Sequence, residues 1–139
     1  MTLTRSETMS AEVRYAVDAL LEDFLARKER HAATAQTPLF VNWLREYLAD
    51  GKRLRPLLCY SGWRISGGAG NPADVFHIAA SLEMFHAFAL LHDDFMDNSD
   101  TRRGHPAAHR RIAAAYPTHV NPESFGDNAA ILLGDLTLC

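Results

Sequence analysis

The sequence predicts an all-α fold. Apolar residues recur at helical spacing, Pro and Gly supply start and stop signals between the stripes, and no segment sustains a period-two alternation. From Ser10 to about Ala33, the residues Val13, Val17, Leu20, Leu21 and Phe24 mark one face of an amphipathic helix. Thr37-Pro38 then offers an N-cap and a proline at the first helical position. The helix that follows carries Leu39, Phe40, Trp43, Leu44, Tyr47 and Leu48, and it stops at Asp50-Gly51. A third begins near Pro56, carries Leu57, Leu58, Tyr60 and Trp63, and breaks at Gly67-Gly68-Ala69-Gly70. Asn71-Pro72 opens a fourth that reaches about Asp97, roughly seven turns at 3.6 residues each. Beyond it lie an Ala-rich segment from Ala107 to Ala115, a Pro-punctuated loop from Tyr116 to Ser124, and another helix opening near Asp127.

Composition narrows the class. The chain has 139 residues, 47% hydrophobic and 22% charged, which suits one globular domain and leaves little room for two. No apolar run approaches the ~20 residues of a membrane span, which argues against an integral membrane protein. The polar N-terminus, MTLTRSETMSAEVR, argues against a secretory signal peptide. Cys59 and Cys139 make neither a disulfide framework nor a zinc site, so a cytoplasmic location is expected. With 14 Lys and Arg against 17 Asp and Glu the net charge is −3, and no global basic field points to nucleic acid.

Three polar clusters interrupt the apolar background. Gly51-Lys52-Arg53-Leu54-Arg55-Pro56 places three cations in four residues at a junction between helices. A solvated basic turn is the plain reading. The sharper one is an anion site, with Lys as a point charge, Arg as a fork for phosphate oxygens, and Gly51 admitting a ligand close to the backbone. His92-Asp93-Asp94-Phe95-Met96-Asp97 closes the long fourth helix. On an ideal wheel Asp93 and Asp97 lie about 40° apart, and His86 falls within about 20° of Asp93. Phe85, Phe88, Leu90, Leu91, Phe95 and Met96 flank these acids, which suggests a buried helix. Three acids in five residues repel one another unless a cation joins them, and carboxylates without cysteine favour a hard ion such as Mg²⁺. Asp100-Thr101-Arg102-Arg103-Gly104 follows closely, and paired arginines beside a metal cluster suit a diphosphate, although such a loop can also pair internally with Asp97 and Asp100.

GKRLRP at 51–56, LEMFHAFALLHDDFMD at 82–97, DNSDTRRG at 97–104 and, more weakly, ILLGDL at 131–136 together resemble the trans-prenyltransferases, the polyprenyl (isoprenoid) diphosphate synthases. The likeness spans roughly residues 40 to 139, and the ordered set is far more specific than DDxxD alone. It implies the N-terminal helices of an isoprenoid-synthase-type bundle, a Mg²⁺ cofactor and a homodimer. The implied reaction joins isopentenyl diphosphate to an allylic diphosphate (dimethylallyl, geranyl or farnesyl) by metal-assisted ionisation to an allylic carbocation. The resemblance also implies roles: Lys52, Arg55 and His86 bind isopentenyl diphosphate, with Arg53 at a variable place. Asp93 and Asp97 hold Mg²⁺ against the allylic diphosphate, and Asp94 is auxiliary. Arg102 then reaches the allylic diphosphate and Arg103 that of isopentenyl diphosphate. Phe88 and Ala89 occupy the places that floor the product tunnel, which implies a geranylgeranyl-type C20 product with C15 as the runner-up. Phe85 is a further candidate floor, and Phe88, Leu90, Leu91 and Phe95 offer apolar walls for a cation or serve as ordinary core.

Other classes account for less of the sequence. His92-Asp93 is an HD pair of the kind used by metal phosphohydrolases, and terpene cyclases share the Asp-rich motif, but neither explains GKRLRP together with RRG. An EF-hand is excluded because no 12-residue window carries the required Asp, Gly and Glu positions. A non-catalytic relative remains the alternative, and the intact first Asp-rich motif speaks for catalysis. His31, His105, His109 and His119 read as surface or structural, and Arg110-Arg111 as a solvated helix face. The last stretch, Asp127 to Cys139, is apolar and lacks a C-cap glycine or polar exit. Residues 1–139 are therefore expected to be the N-terminal part of one larger domain, without the family's second Asp-rich motif and inactive alone.

Overall fold

The computed structural model describes residues 5–32, 34–49 and 51–138. The helix end expected at Ala33, the stop at Asp50 and the final residue Cys139 lie outside the described residues. The element order is α1 (Arg5–Arg30), α2 (Thr37–Leu48), α3 (Leu54–Ile65), α4 (Pro72–Met96), β1 (Thr101–Arg102), β2 (His105–Pro106), α5 (Ala108–Ala115) and α6 (Pro122–Leu136). The fold is all-α, as the periodicity predicts. Residues divide into two compact units, Met1–Glu83 and Met84–Cys139, with the boundary inside α4.

In the first unit α1 packs against α2 and α3. Val13, Val17, Leu21 and Leu25 recur every four residues on α1 and are all buried, because that spacing keeps side chains on one face. Val41, Trp43, Leu44 and Leu48 bury the inner face of α2, and Tyr60 does so on α3. Tyr60 stacks on Phe76 with ring centroids 5.2 Å apart. Trp63 Nε1 donates to the Ala69 carbonyl at 2.8 Å, fastening the glycine-rich break. That break turns where Gly68, at φ 62°, donates its N–H to the Trp63 carbonyl. The start of α2 differs from expectation: Gln36 is the N-cap and makes no side-chain cap bond, while the Thr37 hydroxyl accepts from Thr34 N–H.

In the second unit α5 and α6 pack through small residues. A Cβ at Gly126 would collide with the His109 carbonyl and with Ala113. Ala107, Ala108, Ile112, Ala129, Ala130 and Leu133 are buried around that contact. α6 opens five residues earlier than Asp127, because Asn121 accepts from Ser124 N–H as the N-cap and proline follows it. The segment 101–106 forms a two-stranded antiparallel hairpin pairing Thr101 with Pro106 and Arg102 with His105. Its turn residues, Arg103 and Gly104, have φ of 52° and 82°, as a tight hairpin turn demands. Two-residue strands are too short to leave a period-two signal.

The flanks of the acidic cluster are not uniformly buried: Leu91 is, whereas Phe85 and Met96 are exposed. Arg110 is also not a solvated face residue; it donates to Asp100 at 2.8 Å and to Asn98 at 2.9 Å. By length and composition α4 could cross a membrane, which the run-length expectation did not foresee. A core helix meets the same test.

Candidate functional site

The basic turn separates its three cations. Lys52 and Arg55 are exposed, whereas Arg53 is buried. Arg53 donates from Nε to Asp18 at 2.7 Å, from Nη1 to Glu83 at 3.0 Å and from Nη2 to the Leu48 carbonyl at 2.8 Å. It therefore belongs to the scaffold rather than to an open site. Gly51 makes room for this guanidinium, since an added Cβ would sit 2.5 Å from Arg53 Nη1. Arg53 is the N-cap of α3 in the left-handed conformation and makes no side-chain cap bond. No acid occupies the first turn of α3, so the exposed Lys52 and Arg55 stand at the positive end of the helix dipole. Cations gathered there repel the helix terminus and favour an incoming anion.

The acidic turn separates its members too. Asp93 and Asp97 are exposed, while the Asp94 side chain retains 1% of its surface. The chain reverses at Asn98, at φ 49°, where Ser99 N–H reaches back to the Asp94 carbonyl. The hairpin then returns Arg102 to the end of α4. Arg102 Nε donates to Asp94 at 2.7 Å, and Nη2 contacts both Asp94 and, at 3.0 Å, Asp93. Arg103 is exposed on the hairpin turn, and His86 is half-buried on α4.

His92, half of the HD pair, contacts α6. Its Nδ1 faces the Phe88 carbonyl at 3.0 Å and its Nε2 lies 3.3 Å from Asp135 on α6. A Cβ at Gly134 would lie 2.6 Å from the imidazole, so any larger residue there would displace the ring. The available signal was ILLGDL at 131–136, which contains both Gly134 and Asp135. The Phe88 ring stands 4.4 Å from that of His92 and is half-buried, and Ala89 is exposed.

His109, on α5, is buried with neither ring nitrogen hydrogen-bonded. Burial, and next the neighbouring Arg110 charge, hold its pKa below the usual histidine value, against weaker opposing pulls from Asp127, Asp94 and Asp100. On α2, Arg45 donates to the carboxylates of Glu22 and Glu29, and these bonds raise its pKa.

The donor chemistry fits a hard divalent cation in part. Asp93 and Asp97 present exposed carboxylate oxygens one helical turn apart, which suit Mg²⁺. Asp94 does not fit as a ligand, because Arg102 occupies it and it is closed to solvent. Among the described residues no group of three or more His, Cys, Asp or Glu is arranged to hold a metal. Two carboxylates anchor such an ion only when other oxygens, from water or a phosphate ligand, complete its shell.

Comparisons with known proteins agree with this chemistry. Residues 37–139 match the family model described as polyprenyl synthetase. Geranylgeranyl pyrophosphate synthase 11, chloroplastic, of Arabidopsis thaliana is 37% identical over 107 residues, covering 74% of this chain and 26% of that protein. Geranylfarnesyl diphosphate synthase of Aeropyrum pernix is 44% identical over 87 residues, covering 63% of this chain and 23% of that protein. The crystal structure of geranylgeranyl pyrophosphate synthase from Corynebacterium glutamicum, complexed with isoprenyl diphosphate and magnesium, matches with a TM-score of 0.82 at 37% identity. That match covers 91% of this chain and 38% of the other. The chain thus spans about a quarter of the length of the curated relatives it matches.

Proposed function

This chain belongs to the polyprenyl synthetase family, and from that premise we propose that the protein condenses isopentenyl diphosphate with an allylic diphosphate to give a longer prenyl diphosphate. The observation that carries this reading is the last turn of α4, where Asp93 and Asp97 stay exposed while buried Asp94 holds Arg102 beside them. Asp93 and Asp97 would hold Mg²⁺, which when bound neutralises the charge that develops on a departing diphosphate. Arg102, already pinned at Nε by Asp94, offers Nη2 to the allylic diphosphate in exchange for Asp93. Lys52 and Arg55, at the α3 N-terminus, would bind the diphosphate of isopentenyl diphosphate. Loss of the allylic diphosphate leaves a carbocation, the isopentenyl double bond attacks it, and a proton leaves the condensed product.

The named relatives make geranylgeranyl or geranylfarnesyl diphosphate. A C20 product follows from the family pattern, in which Phe88 and Ala89, five and four residues before Asp93, floor the tunnel; C15 is the second choice. A homodimer is the assembly we propose. The test supplies the full-length gene product with Mg²⁺, isopentenyl diphosphate and C5, C10 or C15 allylic primers. Chain elongation that stops on metal chelation is expected, and no elongation with any primer overturns the reading. Phe88→Ala should lengthen the product; an unchanged product removes Phe88 as the floor.

A further inference from the structure

Arg53 carries a full charge, yet all three of its nitrogens are committed inside the first unit. Nε faces Asp18 on α1, Nη1 faces Glu83 on α4 and Nη2 faces the carbonyl of Leu48 at the end of α2. One side chain therefore ties three helices to the turn that carries Lys52 and Arg55. Its backbone is equally specific. Arg53 adopts φ 52°, a left-handed conformation unfavourable for a residue with a Cβ, and its carbonyl accepts the first helical bond of α3 from Leu57 N–H. Gly51 leaves open the space into which the guanidinium folds.

The residues on either side take the opposite course. Lys52 and Arg55 are exposed, one before the left-handed residue and one in the first turn of α3. The buried side chain fixes the backbone between two outward cations, and two carboxylates neutralise its own charge. We propose that Arg53 is a positioning residue: through Asp18, Glu83 and the Leu48 carbonyl it sets the spacing and direction of Lys52 and Arg55 for a diphosphate, without touching that diphosphate. This rests on the diphosphate site proposed above.

The test uses the full-length protein with two readouts, inorganic pyrophosphate binding by calorimetry and the separate KM and kcat for isopentenyl diphosphate. Arg53→Lys keeps a charge but cannot hold three partners in one planar fork, so pyrophosphate affinity should fall and KM rise about tenfold, with kcat within about threefold. Glu83→Gln retains an acceptor and should produce a smaller shift, about threefold, in the same direction. Circular dichroism confirms the helical content of both variants, and if Arg53→Lys fails to fold, Glu83→Gln and Asp18→Asn decide. Folded variants whose KM and pyrophosphate affinity stay within about twofold of the parent overturn the positioning role. Equal losses in kcat and KM effects on both substrates also overturn it. A parent that binds pyrophosphate but elongates no primer sinks the synthase reading alone, and the affinity series still decides Arg53. A parent that binds no pyrophosphate, or whose binding Lys52→Ala leaves unchanged, removes the site and the inference with it.

Discussion

The two arginine centres of this protein share a composition and differ in closure. Arg53 and Arg102 each face two carboxylates, Asp18 with Glu83 and Asp93 with Asp94. Around Arg53 each guanidinium nitrogen donates to a protein oxygen, the side chain retains 9% of its surface, and Glu83 retains 7%. Around Arg102 one carboxylate is buried and the other is half-exposed, and Arg102 itself keeps 28% of its surface. A buried guanidinium whose three nitrogens are each tied to the protein serves as scaffold. One with a solvent-facing partner can trade that partner for a phosphate, because the exchange leaves no buried charge unpaired.

The largest expected effect tests the open centre. Asp97→Ala removes an exposed carboxylate, so it should lower elongation by about a thousandfold while leaving the urea midpoint near that of the parent. Unchanged turnover would break the contrast at its functional end. Stability is the next readout. Glu83→Ala leaves Arg53 charged and under-paired in the interior, and should cost about 3 kcal/mol in chemical denaturation. Asp94→Ala leaves Arg102 able to reach water, and should cost about 2 kcal/mol. Equal costs, or the reverse order, would show that the two centres do not differ in closure.

The smallest effect concerns His109, the buried histidine beside the open centre. Its folded pKa is lowered chiefly by burial, so the unfolded chain binds the proton more readily. The stability it contributes is complete above the ordinary histidine pKa, about 6.5, and is lost as pH falls below that value. The melting temperature should therefore drop between pH 7 and pH 5. His109→Leu removes two unpartnered buried nitrogens and should flatten that drop, raising neutral-pH stability by about 1 kcal/mol. An identical acid drop in the variant would assign the pH dependence to the carboxylates instead.

Much of the fold is legible along the chain. The four-residue recurrence of Val13, Val17 and Leu21, the Pro72 start and the glycine break at 67–70 each report a local property of one helix. The same locality explains the misses. Asn121-Pro122 carried the start signal of α6, but it stood among other turn residues and read as part of a loop. The hairpin at 101–106 is two residues per strand, below the length at which alternation can be detected.

The sequence by itself determined that helices form, that Asp93 and Asp97 share a helix face apart from Asp94, and that cations and acids cluster at two turns. Spacing on one helix settles those points, since 3.6 residues per turn assigns faces without reference to any partner. Only the tertiary structure decided which charge in each cluster is buried: Arg53 between Lys52 and Arg55, and Asp94 between Asp93 and Asp97. Ion pairing depends on groups distant along the chain, such as Asp18 and Glu83 for Arg53 and the returning Arg102 for Asp94. A buried charge is tolerable only where such partners arrive, and their arrival is set by packing.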